Sequence, residues 1–273
     1  MNIQQLRSAI QAKGSYLCVG LDSDLHKIPS HLNNEPNALL EFNRQIIEAT
    51  SPYAVAYKIN TAFYEQYGTD GWNIMAETLK LIPTDCFSIA DAKRGDIGNT
   101  GEMYARAFFD ELNFDSITVS PYMGKDSVQP FMRADKTVIV LGLTSNPGSA
   151  DFQYLQADGM PLYEHVLRKT SEWGSPENLM FVVGATRAKR LDHIRSIVPD
   201  HFLLVPGVGA QGGSLEDVSK HGLINGGGLL VNSSRGIIYA SSDLQFAQAA
   251  ANEAKKLQQV MATYLQPNQE NQP

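Results

Sequence analysis

The chain of 273 residues carries only two cysteines, Cys18 and Cys86. Each sits inside an apolar run, which suits buried thiols in a reducing compartment and not a disulfide framework. Positive charge is also in deficit: 22 Lys and Arg against 29 Asp and Glu leave a formal net charge of -7. Without a basic field, nucleic acid and anionic membranes are not expected partners, and any grip on an anionic ligand must be local. Nowhere do eighteen apolar residues run together, so no membrane span is expected. The opening MNIQQLRSAIQAKGS lacks the apolar centre of a signal peptide, and a cytoplasmic protein is the expectation. The six histidines show neither HxxH nor HExxH spacing, and no Ser-His-Asp order stands out, so neither a metal nor a serine nucleophile is signalled.

What is present is a rhythm. Short apolar runs at 16–22, 54–60, 86–93, 116–121, 137–144, 179–185, 201–208 and 228–233 alternate with helical patterns at 37–49, 72–81, 101–112, 161–173, 187–198 and 244–264. The runs are mostly continuous and β-branched, as expected of parallel strands buried on both faces. Eight strands, each followed by a helix or a plausible short one, in roughly 250 residues match an α/β chain folded as a (β/α)8 TIM barrel. A doubly wound open sheet shares the βαβ rhythm but favours a Gly-rich turn after its first strand. Here Leu21-Asp22-Ser23-Asp24 follows instead. No linker divides the chain, so residues 1–265 are expected to form one barrel domain. The polar, Pro-bearing tail 266–273 (QPNQENQP) is expected to be disordered. Two long loops, 23–36 and 145–159, both follow strands and are expected on the catalytic face, where they can act as lids.

In such a barrel, polar residues at strand C-termini are the candidates for chemistry. Asp91 and Lys93 close the third strand two residues apart, so both are expected on one side of it, with Asp96 at the start of the following loop. Lys58 lies in the second strand, and Asp22 ends the first. Two lysines and up to three carboxylates can therefore meet on one rim. Salt bridges at the barrel mouth are the plainer reading, but charges inside strands this apolar are costly unless used. Late in the chain, strand seven runs into Pro206-Gly207-Val208-Gly209-Ala210-Gln211, and strand eight into Asn232-Ser233-Ser234-Arg235-Gly236. Loops at these two positions commonly bind phosphate in this fold. Gly207, Gly209 and Gly236 let backbone N–H groups approach an oxyanion, and Arg235 is the local cation that an acidic protein needs.

The run Asp91-Ala92-Lys93-Arg94-Gly95-Asp96-Ile97-Gly98-Asn99-Thr100 closely resembles the signature of the orotidine 5'-monophosphate decarboxylase family, in its longer bacterial type (type 2). The resemblance extends from Gly20-Leu21-Asp22 through Lys58 to residues 232–236, and segments 118–122, 143–148 and 206–211 strengthen it. A related, magnesium-dependent family of sugar-phosphate decarboxylases shares the DxKxxD pattern. The resemblance implies that Lys93 protonates C6 of the pyrimidine as carbon dioxide leaves, with Asp91 beside the substrate carboxylate. Lys58 and Asp96 complete an alternating charge array. Asp96 and Thr100 reach into the neighbouring subunit's site, which implies a homodimer. Asp22 and Lys58 hold the ribose hydroxyls, Ser145 contacts the pyrimidine edge, and Gln211 and Arg235 hold the 5'-phosphate. The ligand implied is the nucleotide orotidine 5'-monophosphate (OMP), with no cofactor and no metal. The rival readings are the magnesium-dependent enzyme and a phosphate-ligand sensor without turnover.

Overall fold

The computed structural model describes residues 1–209 and 212–265; Ala210, Gln211 and the tail 266–273 lie outside the described residues. The chain enters through a helix, Ile3–Lys13, whose Asn2 side chain and Gln5 form a capping box. The helix ends at Gly14 in the left-handed conformation (φ 56). Eight strands follow: β1 Leu17–Gly20, β2 Ala56–Asn60, β3 Phe87–Arg94, β4 Ser116–Val119, β5 Thr137–Leu143, β6 Leu179–Val183, β7 Phe202–Pro206 and β8 Leu229–Ser233. Every neighbouring pair is parallel, and β1 pairs with β8 to close the barrel. All residues of β1, β4, β6 and β8 are buried, because the lumen fills one face and helices cover the other. That double burial is why the apolar runs are continuous.

The outer layer departs from the expected pattern in three places. No α-helix joins β4 to β5; two 3-10 turns, Lys125–Ser127 and Gln129–Phe131, do so, in a segment broken by Pro121, Gly124 and Pro130. The helix expected at 101–112 runs Gly98–Arg106 and then widens into a π turn, Ala107–Glu111. The helix expected at 187–198 is a 3-10 segment, Ala185–Arg190, followed by Leu191–Ile197. The loop expected at 145–159 has structure of its own: a helical turn, Ser149–Phe152, and a two-stranded hairpin pairing Gln156–Ala157 with Met160–Pro161.

The C-terminal helix Phe246–Leu265 closes the ring against Ala38–Thr50, where Phe42 stacks between Tyr239 and Phe246 (5.8 and 5.3 Å between centroids). One apolar cluster runs from Ile3 to Met261. Cys18 and Cys86 are both free and buried. Among the described residues no helix is long and apolar enough to cross a membrane.

Candidate active site

The C-terminal ends of the strands surround a cavity of about 400 Å³. Its lining draws on seven of the eight strand ends. Asp22, Lys58, Asp91 and Lys93 stand on one side, Gly207, Val208, Ser234 and Arg235 on another, and Leu141, Val182 and Leu204 form apolar wall between them.

The charged side is built by strand register. Gly20 pairs with Lys58 and Asn60 with Asp91, so Lys58 and Asp91 share a face on adjacent strands, offset by one pleat. Lys58 Nζ lies 2.7 Å from Asp91 Oδ2 and 3.6 Å from Asp22 Oδ1. Lys93 Nζ meets the other Asp91 oxygen at 2.5 Å. The Thr118 hydroxyl, from β4, also donates to Asp91 Oδ1 at 3.1 Å. Lys58 is 3% exposed, whereas the Lys93 side chain is 51% exposed and faces the open cavity. Burial disfavours the Asp91 carboxylate, but Lys58 and Lys93 outweigh it and hold the group well below the usual carboxylate range. Burial likewise works against the Lys58 ammonium, and Asp91 and Asp22 overcome it and push its pKa above the ordinary lysine value. The two groups are therefore ionised together across the whole working pH range.

Lys93 does not sit in a regular strand. Its φ is 47, in the left-handed region that side-chain-bearing residues rarely adopt. It lies in a bulge, where β3 advances four residues from Ala90 to Arg94 while β4 advances two from Ile117 to Val119.

Asp22 is held by its neighbours. Tyr64 OH donates to Leu21 O (3.2 Å) and accepts from Asn43 Nδ2 (3.0 Å), and Asn43 Oδ1 accepts from Ser23 Oγ (2.6 Å). Tyr239 OH donates to Asp22 O (3.1 Å) and accepts from Asp24 N (2.8 Å), tying the loop after β1 to the turn after β8. Asp22 Oδ1 is buried and, among the described residues, has no hydrogen-bond donor. Gly20 makes room at this corner: a Cβ there would fall 1.8 Å from Ser234 Oγ.

On the two strands that follow β1 round the barrel, Gly207 (φ 98) turns the chain out of β7 and Arg235 opens a short helix after β8, Arg235–Ile238. Arg235 is exposed and has no ion-pair partner among the described residues. Ser145 lines the cavity between Thr144 and Asn146, its backbone packed on Gly184, where a Cβ would meet Ser145 N at 2.7 Å. Gln153 fastens this loop by accepting from Thr144 N and donating to Thr144 Oγ1, both at 2.8 Å.

Of the residues singled out in the sequence, Asp22, Lys58, Asp91, Lys93, Ser145, Gly207 and Arg235 line one cavity. Asp96, Thr100, Gly209 and Gly236 do not line it, and Gln211 lies outside the described residues. Asp96 accepts from Ile97 N at 2.8 Å. Sequence reasoning missed Asn60, Thr118, Asn146, Asn232 and Ser234 as parts of the site. The signal for Asn60, Thr118 and Asn232 was a neutral polar residue at or near the end of an otherwise apolar strand. Among the described residues no group of three or more His, Cys, Asp or Glu side chains is arranged to hold a metal ion.

A family model described as orotidine 5'-phosphate decarboxylase / HUMPS family matches residues 15–250. The orotidine 5'-phosphate decarboxylase of Phocaeicola vulgatus is 56% identical over 266 residues, which cover 96% of this chain and 98% of the relative. The structure of Leishmania donovani OMP decarboxylase is similar with a TM-score of 0.80 and 40% identity, over 94% of this chain and 99% of that one. The same organism's UMP synthase is similar with a TM-score of 0.82 and 41% identity, over 94% of this chain but 57% of that one.

Proposed function

This chain belongs to the orotidine 5'-phosphate decarboxylase / HUMPS family, and we propose that its barrel mouth converts OMP to UMP and carbon dioxide by metal-free electrostatic stabilisation of a C6 carbanion. The reaction is a step of pyrimidine biosynthesis. The observation that carries the reading is Asp91 bracketed by Lys58 and Lys93 on one side of the cavity, with Arg235 lacking an ion-pair partner among the described residues on another.

When the carboxylate leaves, the bonding pair stays on C6 in an orbital that the pyrimidine ring cannot delocalise. The site must therefore supply the stabilisation. The Lys93 ammonium faces that carbon, and its proton passes from Nζ to C6 as the C–C bond breaks. Asp91 lies beside the departing carboxylate and stays ionised because Lys58 is buried against it. An ammonium ~4 Å from the developing charge at an effective dielectric of ~20 contributes ~4 kcal/mol, about three decades of rate. The rest comes from the preorganised array and from phosphate binding energy used to close the site.

Asp22 Oδ1, the buried acceptor without a donor, takes a ribose hydroxyl together with Lys58. Ser145 meets the pyrimidine edge. Arg235 and the backbone at Gly207 receive the 5'-phosphate, and the family likeness adds Gln211, Gly209 and Gly236 to that end. The functional unit is a homodimer in which Asp96 and Thr100 enter the partner's cavity. Their position off their own cavity supports this, as does the exposed apolar set beside them: Ile97, Met103, Tyr122 and Met123 are 53, 51, 88 and 51% exposed. A cytoplasmic location fits the free, buried cysteines.

The experiment is the loss of OMP absorbance with purified protein, with and without EDTA. Rapid, EDTA-insensitive formation of UMP is expected. No conversion, or conversion only with added magnesium, would overturn the reading.

A further inference from the structure

A left-handed φ on a residue with a side chain is strained and persists only where the surroundings hold it. At Lys93 the holding groups act on a single peptide unit. The N–H of the Ala92–Lys93 peptide donates to Thr118 Oγ1 at 2.9 Å. The C=O of the same peptide accepts from Arg94 Nη1 at 2.8 Å. The Arg94–Gly95 peptide beyond it is fixed as well, since Arg94 O accepts from Ser120 N at 2.7 Å.

Arg94 itself is stapled in place. Its Nη2 pairs with Glu65, at the end of the short helix Ala62–Glu65 that follows β2. Its guanidinium lies over the rings of Tyr104 and Phe108, 5.4 Å from each centroid. None of these three contacts lines the cavity, so Arg94 reaches away from the reacting groups while Lys93 reaches toward them. Arg94 Nε is buried and, among the described residues, has no acceptor. That is a cost the site bears to keep the guanidinium in this pose.

We propose that Arg94, anchored by Glu65, is a positioning residue that fixes the bulge in β3 and so aims Lys93 Nζ at Asp91. The proposal rests on the decarboxylase reading and adds to it how the reacting lysine is oriented. A guanidinium suits the task because its fork grips the Ala92 carbonyl and the Glu65 carboxylate at once.

The test measures kcat for OMP and the Kd of UMP in Arg94→Ala, Arg94→Lys and Glu65→Gln, with far-UV circular dichroism on each. Arg94→Ala is expected to lower kcat by about tenfold or more while UMP affinity stays near wild type, because the ribose and phosphate contacts are elsewhere. Arg94→Lys keeps the charge without the fork and is expected to fall between wild type and Arg94→Ala. Glu65→Gln is expected to lower kcat less than Arg94→Ala does. A folded Arg94→Ala with wild-type kcat, or a loss as large in UMP affinity as in kcat, overturns the proposal. If Arg94→Ala does not fold, Arg94→Lys and Glu65→Gln decide by the same two readouts. Absence of turnover in the wild-type protein would instead overturn the decarboxylase reading, so the two failures are distinguishable.

Discussion

The Thr118 hydroxyl donates to Asp91 Oδ1 at 3.1 Å and, through its lone pairs, accepts the backbone N–H of Lys93 at 2.9 Å. One neutral side chain on β4 thus ties together the carboxylate and the lysine of β3. A hydrogen bond to a charged group is worth about 1.5–3 kcal/mol. Thr118→Val keeps the shape and removes both bonds, so kcat is expected to drop by roughly tenfold or more. Thr118→Ser restores the hydroxyl and is expected to recover most of the activity. Steady-state kinetics on the pair decides it; a fully active Val variant would show that the hydroxyl does not orient the charges.

Lys93→Ala is expected to abolish detectable turnover while the protein remains folded. The Lys93 side chain is half exposed, and its removal leaves Asp91 paired with the buried Lys58 at 2.7 Å. No buried charge is stranded, so the melting temperature is expected to stay near wild type. Substantial residual turnover in a clean preparation would remove Lys93 from the proton-transfer role.

Arg235 contributes nothing visible to the fold, being exposed and without an ion-pair partner among the described residues. Its expected contribution is to the phosphate alone. Arg235→Ala is expected to lower kcat/KM by roughly 30-fold, about 2 kcal/mol for a charge-assisted pair, with an unchanged melting temperature. The wild-type KM is also expected to rise with salt more steeply than that of the variant. Equal salt dependence in the two proteins would mean that another cation holds the phosphate.

The eight strands were legible because each is buried on both faces and so reads as a continuous apolar run. The placement of Lys58 and Asp91 followed from those runs. The bulge at Lys93 was not legible. Plain strand alternation already predicts Asp91 and Lys93 on one side, so their spacing carried no sign of the bulge, and the left-handed φ of 47 goes with hydrogen bonds to Thr118 and Arg94, which come from tertiary packing and from a rotamer. Helix Ile3–Lys13 was overlooked although Asn2, Gln5 and Gly14 carry both of its caps; its weak apolar face masked it. Asp96 was expected on the same rim, but it does not line the cavity of its own chain.

His201 sits at the foot of β7, 7% exposed, with its ring 5.4 Å from that of Phe181. Neither ring nitrogen has a hydrogen-bond partner among the described residues. Burial pushes the imidazole down from 6.5 to about 4; Asp200 opposes the shift and is outweighed. The folded state therefore takes up this proton less readily than the unfolded state. Above pH 6.5 both states are neutral here and stability is complete. As pH falls from 6.5 toward 4 the unfolded chain gains a proton that the folded one refuses, and stability declines by an amount on the order of 3 kcal/mol. Asp91, held far lower, keeps its own contribution throughout that window. His201→Phe retains a ring against Phe181 and cannot titrate. Urea midpoints at pH 7.5 and 4.5 are expected to diverge strongly in the wild-type protein and much less in His201→Phe. Equal acid losses in the two would place the sensitivity in other groups and leave His201 as packing alone.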